Sequence, residues 1–252
     1  MLVNDIKFII ENRRVWWYTA TSRTRARFAR TILGSFWLGF SNLLSVSTLA
    51  FVYGTVFKVG NFRSYFIYLG IGLVIWNAIS SAICTAPNLF SNNSSNIQNM
   101  NLRPLFYTLE EWAFQLQTFF QSFALVFFVL LFVKPILLIN LLTASWVPII
   151  NLILFIYWFP LLICLISLRY SDLAQLVPII MQIFFLISPI LYRKESLGSL
   201  TWITNINFLY KILDPLRVSI ISGNVNYSES LILLLINLVG VYLSLLFLKK
   251  DS

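Results

Sequence analysis

The chain has 252 residues, of which 59% are hydrophobic and only 11% are charged, less than half the charged share of about 25% found in soluble domains. A soluble globule of this length could not bury so much apolar surface in one core, so the composition predicts an integral membrane protein. Histidine is absent, which excludes histidine-based acid–base chemistry and histidine-ligated metals. The net charge of +9 is attributed to basic residues beside membrane spans rather than to a nucleic-acid-binding surface.

Six segments are long and apolar enough to cross a hydrocarbon core about 30 Å thick, which requires about 20 residues per helix. They are Phe36–Phe57, Tyr65–Ala86, Trp112–Val133, Trp146–Leu168, Leu173–Tyr192 and Ser230–Leu248. An even number of spans over residues 36–248 places both termini on one side of the membrane. On this topology eleven of the 18 basic residues lie on the side of the N-terminus, so the positive-inside rule predicts cytoplasmic termini.

Two connections between these spans are longer than turns. Residues 88–111, on the predicted cytoplasmic side, open with a run of asparagine and serine and predict a polar loop. Residues 193–229, on the external side, include Trp202, Phe208 and Leu213 and are too apolar for a solvated loop. This second pattern predicts short re-entrant helices before the last span, shielded from lipid by protein.

Ionisable residues are missing from the interiors of the predicted spans, and all nine acids lie outside the span centres or at span ends. Ion-coupled carriers generally need buried ionisable groups, and a membrane hydrolase needs paired carboxylates or a nucleophile with its base. Both classes are therefore disfavoured. The chain also lacks a G-x-x-x-x-G-K-[ST] phosphate loop, so active transport would require energy from another subunit.

Aromatic residues make up 17% of the chain. In the spans they are candidates for a substrate path, because aromatic faces can stack on sugar rings without gripping one sequence. The simpler interpretation is that they form interfacial belts and lipid-facing bulk. The candidates for the path are Trp37, Phe40, Tyr53, Trp76, Phe184 and Phe185.

Four segments of the sequence, taken in chain order, together form a further pattern. They are Trp17-Tyr18 with Arg23 and Arg27 through Trp37; Tyr68-Leu69-Gly70-Ile71-Gly72 with Trp76; Leu168-Arg169-Tyr170-Ser171-Asp172 followed by Ser188-Pro189-Ile190-Leu191-Tyr192; and Asn207, Leu209-Tyr210, Leu213-Asp214 and Arg217. Together they resemble the membrane subunits of polysaccharide and polyol-phosphate ABC exporters, the type 2 ABC permeases that export O-antigen, capsule or teichoic acid. Phe208, where the family usually has proline, is a departure from the pattern.

The resemblance implies a homodimer of six-span subunits paired with two cytoplasmic ABC ATPase subunits. ATP and Mg would be bound by those partners, and this chain would bind no cofactor or metal and would not itself be an enzyme. Residues 1–35 would form an amphipathic helix on the inner interface. Arg23, Arg27 and Arg30 would share one face of it, at i, i+4 and i+7, and would meet lipid headgroups or the pyrophosphate of a lipid-linked glycan. A role in topology and anchoring alone is the alternative.

The resemblance also assigns two sets of residues. The connection 88–111 would be a coupling loop whose coupling helix docks into the ATPase, with a solvated linker as the alternative, and its candidates are Arg103, Pro104, Glu110 and Glu111. The region 193–229 with the end of the fifth span would be an external gate. Its candidates are Ser188, Pro189, Asn207, Tyr210, Asp214 and Arg217.

The sequence therefore predicts an all-α integral membrane protein whose residues 1–252 form one transmembrane domain in the inner (plasma) membrane of a bacterium. The expected function is ATP-driven export of a lipid-linked polysaccharide such as O-antigen or a capsule-like glycan, through a channel formed at the dimer interface. One alternative is a type 2 ABC permease for a small molecule, a lipid or teichoic acid. Another is a non-transporting membrane scaffold or a membrane glycan enzyme.

Overall fold

A computed structural model describes residues 2–56, 60–100 and 102–250 of the chain, and the side chains of 7–56, 60–97 and 102–249. These residues form thirteen α-helices and no strand. The helices are α1 (Leu2–Glu11), α2 (Arg13–Phe28), α3 (Phe36–Val56), α4 (Phe62–Thr85), α5 (Leu89–Asn92), α6 (Ser94–Met100), α7 (Pro104–Val133), α8 (Ile136–Ala144), α9 (Trp146–Ser167), α10 (Leu173–Ile187), α11 (Trp202–Ile206), α12 (Phe208–Ser222) and α13 (Tyr227–Lys250). Short 3₁₀ segments cover Ala86–Asn88 and Lys194–Thr201.

Five helical segments in the described residues are long and apolar enough to cross a membrane: α3, α4 with its continuation to Asn92, α7, α9 and α13. The prediction of an all-α membrane protein is confirmed. Five of the six predicted spans coincide with these helices, and the predicted end of the first, Phe57, lies outside the described residues. The fifth predicted span, Leu173–Tyr192, differs, because α10 has 15 residues and so is only about 22 Å long.

A proline explains why α10 stops early. Ser188 precedes Pro189, and its backbone is extended, with φ −75° and ψ 138°. The ring of a proline clashes with the preceding residue in helical conformation, so helices usually end before it. Residues 188–192 consequently leave the helix and form a separate non-helical segment.

The predicted coupling loop 88–111 is largely helical in the structure. It contains α5, α6 and the first two turns of α7, which begins at Pro104, eight residues before the predicted span. Proline is favoured at the first position of a helix, where its missing N–H costs nothing, and Arg103 before it is extended. Pro104, Glu110 and Glu111 are therefore helical residues rather than loop residues, which corrects the prediction.

The predicted interface helix over residues 1–35 is two helices, and α2 packs along α7. Trp16, Ala20, Thr24 and Phe28, spaced four residues apart, form its buried face. The spacing of Arg23, Arg27 and Arg30 predicts that they share one helical face. Because α2 ends at Phe28, Arg30 lies beyond the helix and does not share a helical face with the other two, so this prediction is wrong for Arg30.

The second span, α4, is the centre of the fold. In the most apolar 18-residue stretch of α4, 72% of the residues are buried, compared with 17% in the corresponding stretch of α3. Helix α4 contacts α3, α7, α9, α10 and α12. Two glycines permit close approach: a Cβ atom on Gly70 would lie 3.3 Å from Leu130, and one on Gly72 would lie 3.5 Å from Arg217. The first span is thus peripheral, and the region before the last span packs against the central helix.

Helices α9 and α13 are held together by buried amides. Asn151 donates a hydrogen bond to the carbonyl of Ser230 (2.9 Å), Asn237 donates to the side chain of Asn151 (2.9 Å), and Trp158 donates to Asn237 (2.9 Å). Interhelical hydrogen bonds and small residues stabilise helix pairs in lipid. Gly240 supplies the small residue, because a Cβ atom there would lie 2.5 Å from the Trp158 ring.

Helix α8 was not predicted from the sequence. Asn140 of α8 and Lys134, which precedes α8, bind the C-terminal end of α12. Lys134 donates a hydrogen bond to the Ile221 carbonyl and Asn140 donates one to the Ile220 carbonyl, each at 3.0 Å. Gly223 ends α12 with φ +74°, a left-handed conformation that glycine adopts without strain. The last carbonyl groups of α12 are therefore satisfied inside the protein.

Candidate functional site

A polar cleft of about 320 Å³ lies among α3, α4 and α7. Eight of its 13 lining residues carry a hydroxyl or carboxamide group, four are apolar, and Arg27 of α2 adds a guanidinium group. We call this feature the polar cleft. Its polar lining includes Asn42, Asn77, Ser81, Gln115, Thr118 and Ser122.

The polar groups of this cleft come from helices that otherwise qualify as membrane spans. Asn77 is exposed, and its amide donates to the Asn42 side-chain oxygen at 2.6 Å. A polar group facing hydrocarbon without further partners is costly, so such groups in spans usually face a water-filled cavity or protein. The polar cleft is therefore suited to water, to a polar ligand or to a second protein surface rather than to lipid chains.

A hydrogen-bond network connects the polar cleft with α2. The Glu111 carboxylate accepts a charge-assisted hydrogen bond from Arg23 at 2.6 Å, one from the Thr85 hydroxyl at 3.1 Å and one from Gln115 at 2.7 Å. Gln115 in turn accepts from Ser81 at 2.9 Å. We call these five residues the Glu111 network. Ser81 and Gln115 also line the cleft. A displacement of α2 would therefore change the hydrogen bonds of these two cleft residues.

The Glu111 network explains how an acidic residue is tolerated in a span. The Glu111 side chain is only 11% exposed, and a buried carboxylate requires both a countercharge and hydrogen-bond donors. Arg23 supplies the countercharge and stacks over the Phe114 ring, with its guanidinium carbon 4.2 Å from the ring centroid. The pair is thus anchored on α7 and fixes the position of α2.

The chemistry of the polar cleft is reversible hydrogen bonding. Hydroxyl groups and carboxamides both donate and accept, so they can match the hydroxyl groups of a carbohydrate. Within the described residues there is no group of three or more histidine, cysteine, aspartate or glutamate side chains that could hold a metal. The arrangement is typical of a binding surface.

The aromatic residues predicted to line one path lie in separate places in the described structure. Trp37 and Phe40 stack on each other on the exposed side of α3, with ring centroids 5.6 Å apart. Trp76 is buried and contacts Phe185 at 5.7 Å. Phe184 contacts Phe208 at 5.7 Å, and Tyr53 packs against the core. None of these side chains lines the polar cleft.

The predicted arginines and coupling residues are divided between the cleft and other places. Arg27 lines the polar cleft, and Arg23 and Glu111 belong to the Glu111 network. Arg103 precedes α7 and lies over the Phe8 ring, with its guanidinium carbon 5.1 Å from the centroid. Pro104 opens α7 and Glu110 is half-buried within it, while Arg30 is exposed.

The six residues predicted for the external gate are brought together in one cluster. Arg217 is 1% exposed, and its guanidinium donates to the Pro189 carbonyl at 2.8 Å, to the Tyr210 hydroxyl at 3.2 Å and to Asp214. Asn207 caps α12 by accepting from the Tyr210 amide at 3.1 Å and donates to the Ser188 hydroxyl at 2.7 Å. We call these residues the Arg217 cluster.

The Arg217 cluster is bound to the central helix α4. The Tyr68 hydroxyl shares its one proton between the Pro189 carbonyl at 2.8 Å and the Tyr192 carbonyl at 3.1 Å, and the Tyr65 hydroxyl donates to the Leu191 carbonyl at 2.5 Å. Burial by itself would lower the pKa of Arg217, but the neighbouring Tyr68 and Asp214 outweigh this and raise the pKa above its ordinary value. Arg217 therefore stays charged and holds α12 against the segment that ends α10.

The polar cleft was not predicted from the sequence, although the sequence contains a signal for it. Asn77, Ser80 and Ser81 are spaced i, i+3 and i+4, and Gln115, Thr118 and Ser122 are spaced i, i+3 and i+7, which places each set on one helical face. A polar face within an apolar span is the pattern to search for. Comparison with protein-family models and with curated proteins found no match for this chain.

Proposed function

We propose that this chain is the channel-forming transmembrane subunit of an ATP-driven ABC exporter that moves a lipid-linked polysaccharide, such as O-antigen or a capsule-like glycan, across the bacterial inner membrane. The observation that carries the proposal is the polar cleft, in which hydroxyl and carboxamide groups line a cavity among membrane-spanning helices. The four sequence patches that resemble the type 2 ABC permeases support the same function.

A repetitive glycan needs many weak contacts, because strong contacts at one point would stop its movement. The amides of Asn42 and Asn77 and the hydroxyls of Thr118 and Ser122 are contacts of this kind. Arg27 lines the same cleft and would bind the phosphate of a lipid-linked glycan by a charge-assisted hydrogen bond. The cleft would be completed by the second subunit of a homodimer.

The proposed topology has six spans. Helix α10 is followed by the non-helical segment 188–192, and we propose that residues 173–192 together supply the roughly 20 residues that a crossing needs. Helices α11 and α12 are then re-entrant on the external side. In support, α12 has 15 residues and packs against α4, α8 and α9, which shield its backbone and the charge of Arg217.

Energy would come from two cytoplasmic ATPase subunits that bind ATP and Mg. The natural docking surface is the region of α5 and α6, on the same side as α2. A movement of α2 would reach the polar cleft through the salt bridge from Arg23 to Glu111 and the hydrogen bond from Glu111 to Gln115. The Arg217 cluster would control the external end of the path.

The experiment is complementation of a strain that lacks this chain, with surface glycan and inner-membrane lipid-linked glycan measured together. Wild-type protein should restore surface glycan. Replacing both Asn42 and Asn77 by leucine should reduce surface glycan and raise the membrane-bound intermediate, because the cleft loses its amides. Ser47→Leu, an exposed change on the same helix outside the cleft, is the matched control and should export normally. Unchanged surface glycan in the deletion strain would refute the proposal.

A further inference from the structure

A second cavity, of about 420 Å³, lies between α11, the first half of α12 and the start of α13. It is separate from the polar cleft and shares no lining residue with it. Its volume is within the roughly 300–1,000 Å³ that is typical of pockets for small molecules. We call it the α12–α13 pocket. Its informative residues are Lys194, Lys211, Asp214, Glu229, Ile232 and Ile236.

Of the four charged residues that line this pocket, one is paired with a residue of opposite charge, and that partner lies outside the lining. Asp214 accepts a hydrogen bond from Arg217 and is neutralised by it. Lys194, Lys211 and Glu229 are exposed, and in the described part of the chain none of them forms an ion pair. The pocket therefore offers two ammonium groups and one carboxylate to a ligand.

The apolar wall of the pocket lies deeper along α13 than its carboxylate. Ile232 and Ile236 follow Glu229 by three and seven residues, which places them about 4.5 and 10.5 Å further along the helix axis. Glu229 is in the first turn of this membrane-spanning helix, and both isoleucines are more than half exposed. The polar end is thus at the membrane interface, and the apolar side points toward the hydrocarbon, which is the orientation of a lipid molecule.

We propose that the α12–α13 pocket binds a phospholipid with a zwitterionic phosphoethanolamine headgroup. Lys194 and Lys211 bind its phosphate, Glu229 binds its primary ammonium group, and Ile232 and Ile236 contact its acyl chain. A carboxylate beside two lysines favours this headgroup over a purely anionic one, because an anionic headgroup would leave Glu229 facing like charge. The proposal does not depend on export of a glycan.

Lipid in this pocket would also contact the Arg217 cluster. Tyr210 and Asp214 line the pocket and at the same time accept hydrogen bonds from Arg217. Arg217 in turn holds the Pro189 carbonyl at 2.8 Å. A headgroup bound at Tyr210 or Asp214 would therefore contact the residues that hold Arg217, and Arg217 joins α12 to the end of α10.

The test is lipid binding to the purified full chain in detergent, measured by native mass spectrometry with phosphatidylethanolamine, phosphatidylglycerol and free phosphoethanolamine. Glu229→Gln should weaken phosphatidylethanolamine binding by about tenfold, since only this lipid has an ammonium group. The same change should not weaken phosphatidylglycerol binding and should strengthen it, because it removes a like charge beside the anionic headgroup. The double variant Lys194→Gln and Lys211→Gln should weaken both lipids, and Lys211→Arg should retain binding. Free phosphoethanolamine should bind more weakly than the lipid, because it lacks the acyl chains.

The control is Arg63→Gln, which removes an exposed cation in the first turn of another span and is not part of the pocket. It should bind each lipid as the wild type does. Wild-type affinity for phosphatidylethanolamine in the glutamate and double-lysine variants would overturn the proposal. Equal binding of free phosphoethanolamine and the lipid would overturn the assignment to a lipid.

Discussion

The guanidinium group of Arg217 lies over the ring of Tyr68, with 3.9 Å between the guanidinium carbon and the ring centroid. Both groups also bind the Pro189 carbonyl, at 2.8 Å each. One carbonyl oxygen is thereby shared between the central helix α4 and the helix α12 that precedes the last span. This contact ties together three parts of the chain that are distant in sequence, and it depends on the break that proline makes after α10.

The first prediction concerns the charge of this cluster. Arg217→Met should lower the free energy of unfolding by about 1–3 kcal/mol, because Asp214 loses the donor that pairs with it and the buried Pro189 carbonyl loses one of its two donors. Tyr68→Phe, which keeps the ring and loses the hydroxyl, should cost less, about 1 kcal/mol. Thermal unfolding of the purified protein in detergent measures both. Arg193→Met, at an exposed arginine, is the matched control, and equal effects of the two arginine variants would contradict a structural role for Arg217.

The second prediction tests the contact between α9 and α13. Gly240→Ala should destabilise the protein by about 1–3 kcal/mol, because the added Cβ atom would lie 2.5 Å from the Trp158 ring and the two helices must separate. Gly60→Ala has open space around it and should have no such effect. Combining Gly240→Ala with Trp158→Leu should recover part of the loss, and a double variant that is simply additive would show that the two residues are not in contact.

The third prediction separates the two halves of the salt bridge between Arg23 and Glu111. The Arg23 side chain is 44% exposed and that of Glu111 only 11%. Arg23→Gln should therefore cost about 3 kcal/mol of stability, because it leaves the buried Glu111 carboxylate without its countercharge. Glu111→Leu should cost less, about 1–2 kcal/mol, because Arg23 can turn to solvent while Thr85 and Gln115 each lose one acceptor. Chemical denaturation in detergent gives the two values, and a larger loss for Glu111→Leu would contradict this account.

The same pair makes a prediction about export. If α2 acts on the polar cleft through Glu111, then Glu111→Gln should reduce export per folded protein molecule. The amide retains hydrogen bonds within the network, but it loses the charge attraction to Arg23. Surface glycan, normalised to the amount of folded protein in the membrane, is the measurement. Lys7→Gln, which removes an exposed i, i+4 pair with Glu11 in α1, is the control. Export by Glu111→Gln at the wild-type level would remove α2 from the mechanism.

The long apolar runs made the membrane helices predictable from the sequence, whereas contacts between them were not. Trp146–Ser167 was located within one residue, because its 22 residues are mostly apolar and a run of about 18 or more such residues is typical of a membrane span. The ends of two helices depended on single prolines. Pro104 opens α7 and Pro189 closes α10, and greater weight on the backbone preferences of proline would have located both ends.

The polar cleft was harder to predict, because its residues are far apart in the chain. The hydrogen bond from Asn77 to Asn42 joins residues 35 positions apart, and that from Arg23 to Glu111 joins residues 88 apart. Periodicity assigns each residue to a face of its own helix but does not say which faces meet. The six residues of the Arg217 cluster were found together because they belonged to one recognised pattern, whereas no such pattern connected Asn42, Asn77 and Gln115.

The last prediction decides whether α10 crosses the membrane. In a background with Cys84 and Cys164 replaced by alanine, single cysteines are introduced at Ser171 and Ser196, which are exposed before and after α10. If residues 173–192 form a sixth span, a membrane-impermeant maleimide should label Ser196→Cys in intact cells and Ser171→Cys only after permeabilisation. Ser94→Cys, on the predicted cytoplasmic side, is the control and should behave as Ser171→Cys does. Labelling of the Ser171 and Ser196 variants from the same side would show that α10 does not cross, and both the six-span topology and the shared cytoplasmic location of the termini would then be wrong.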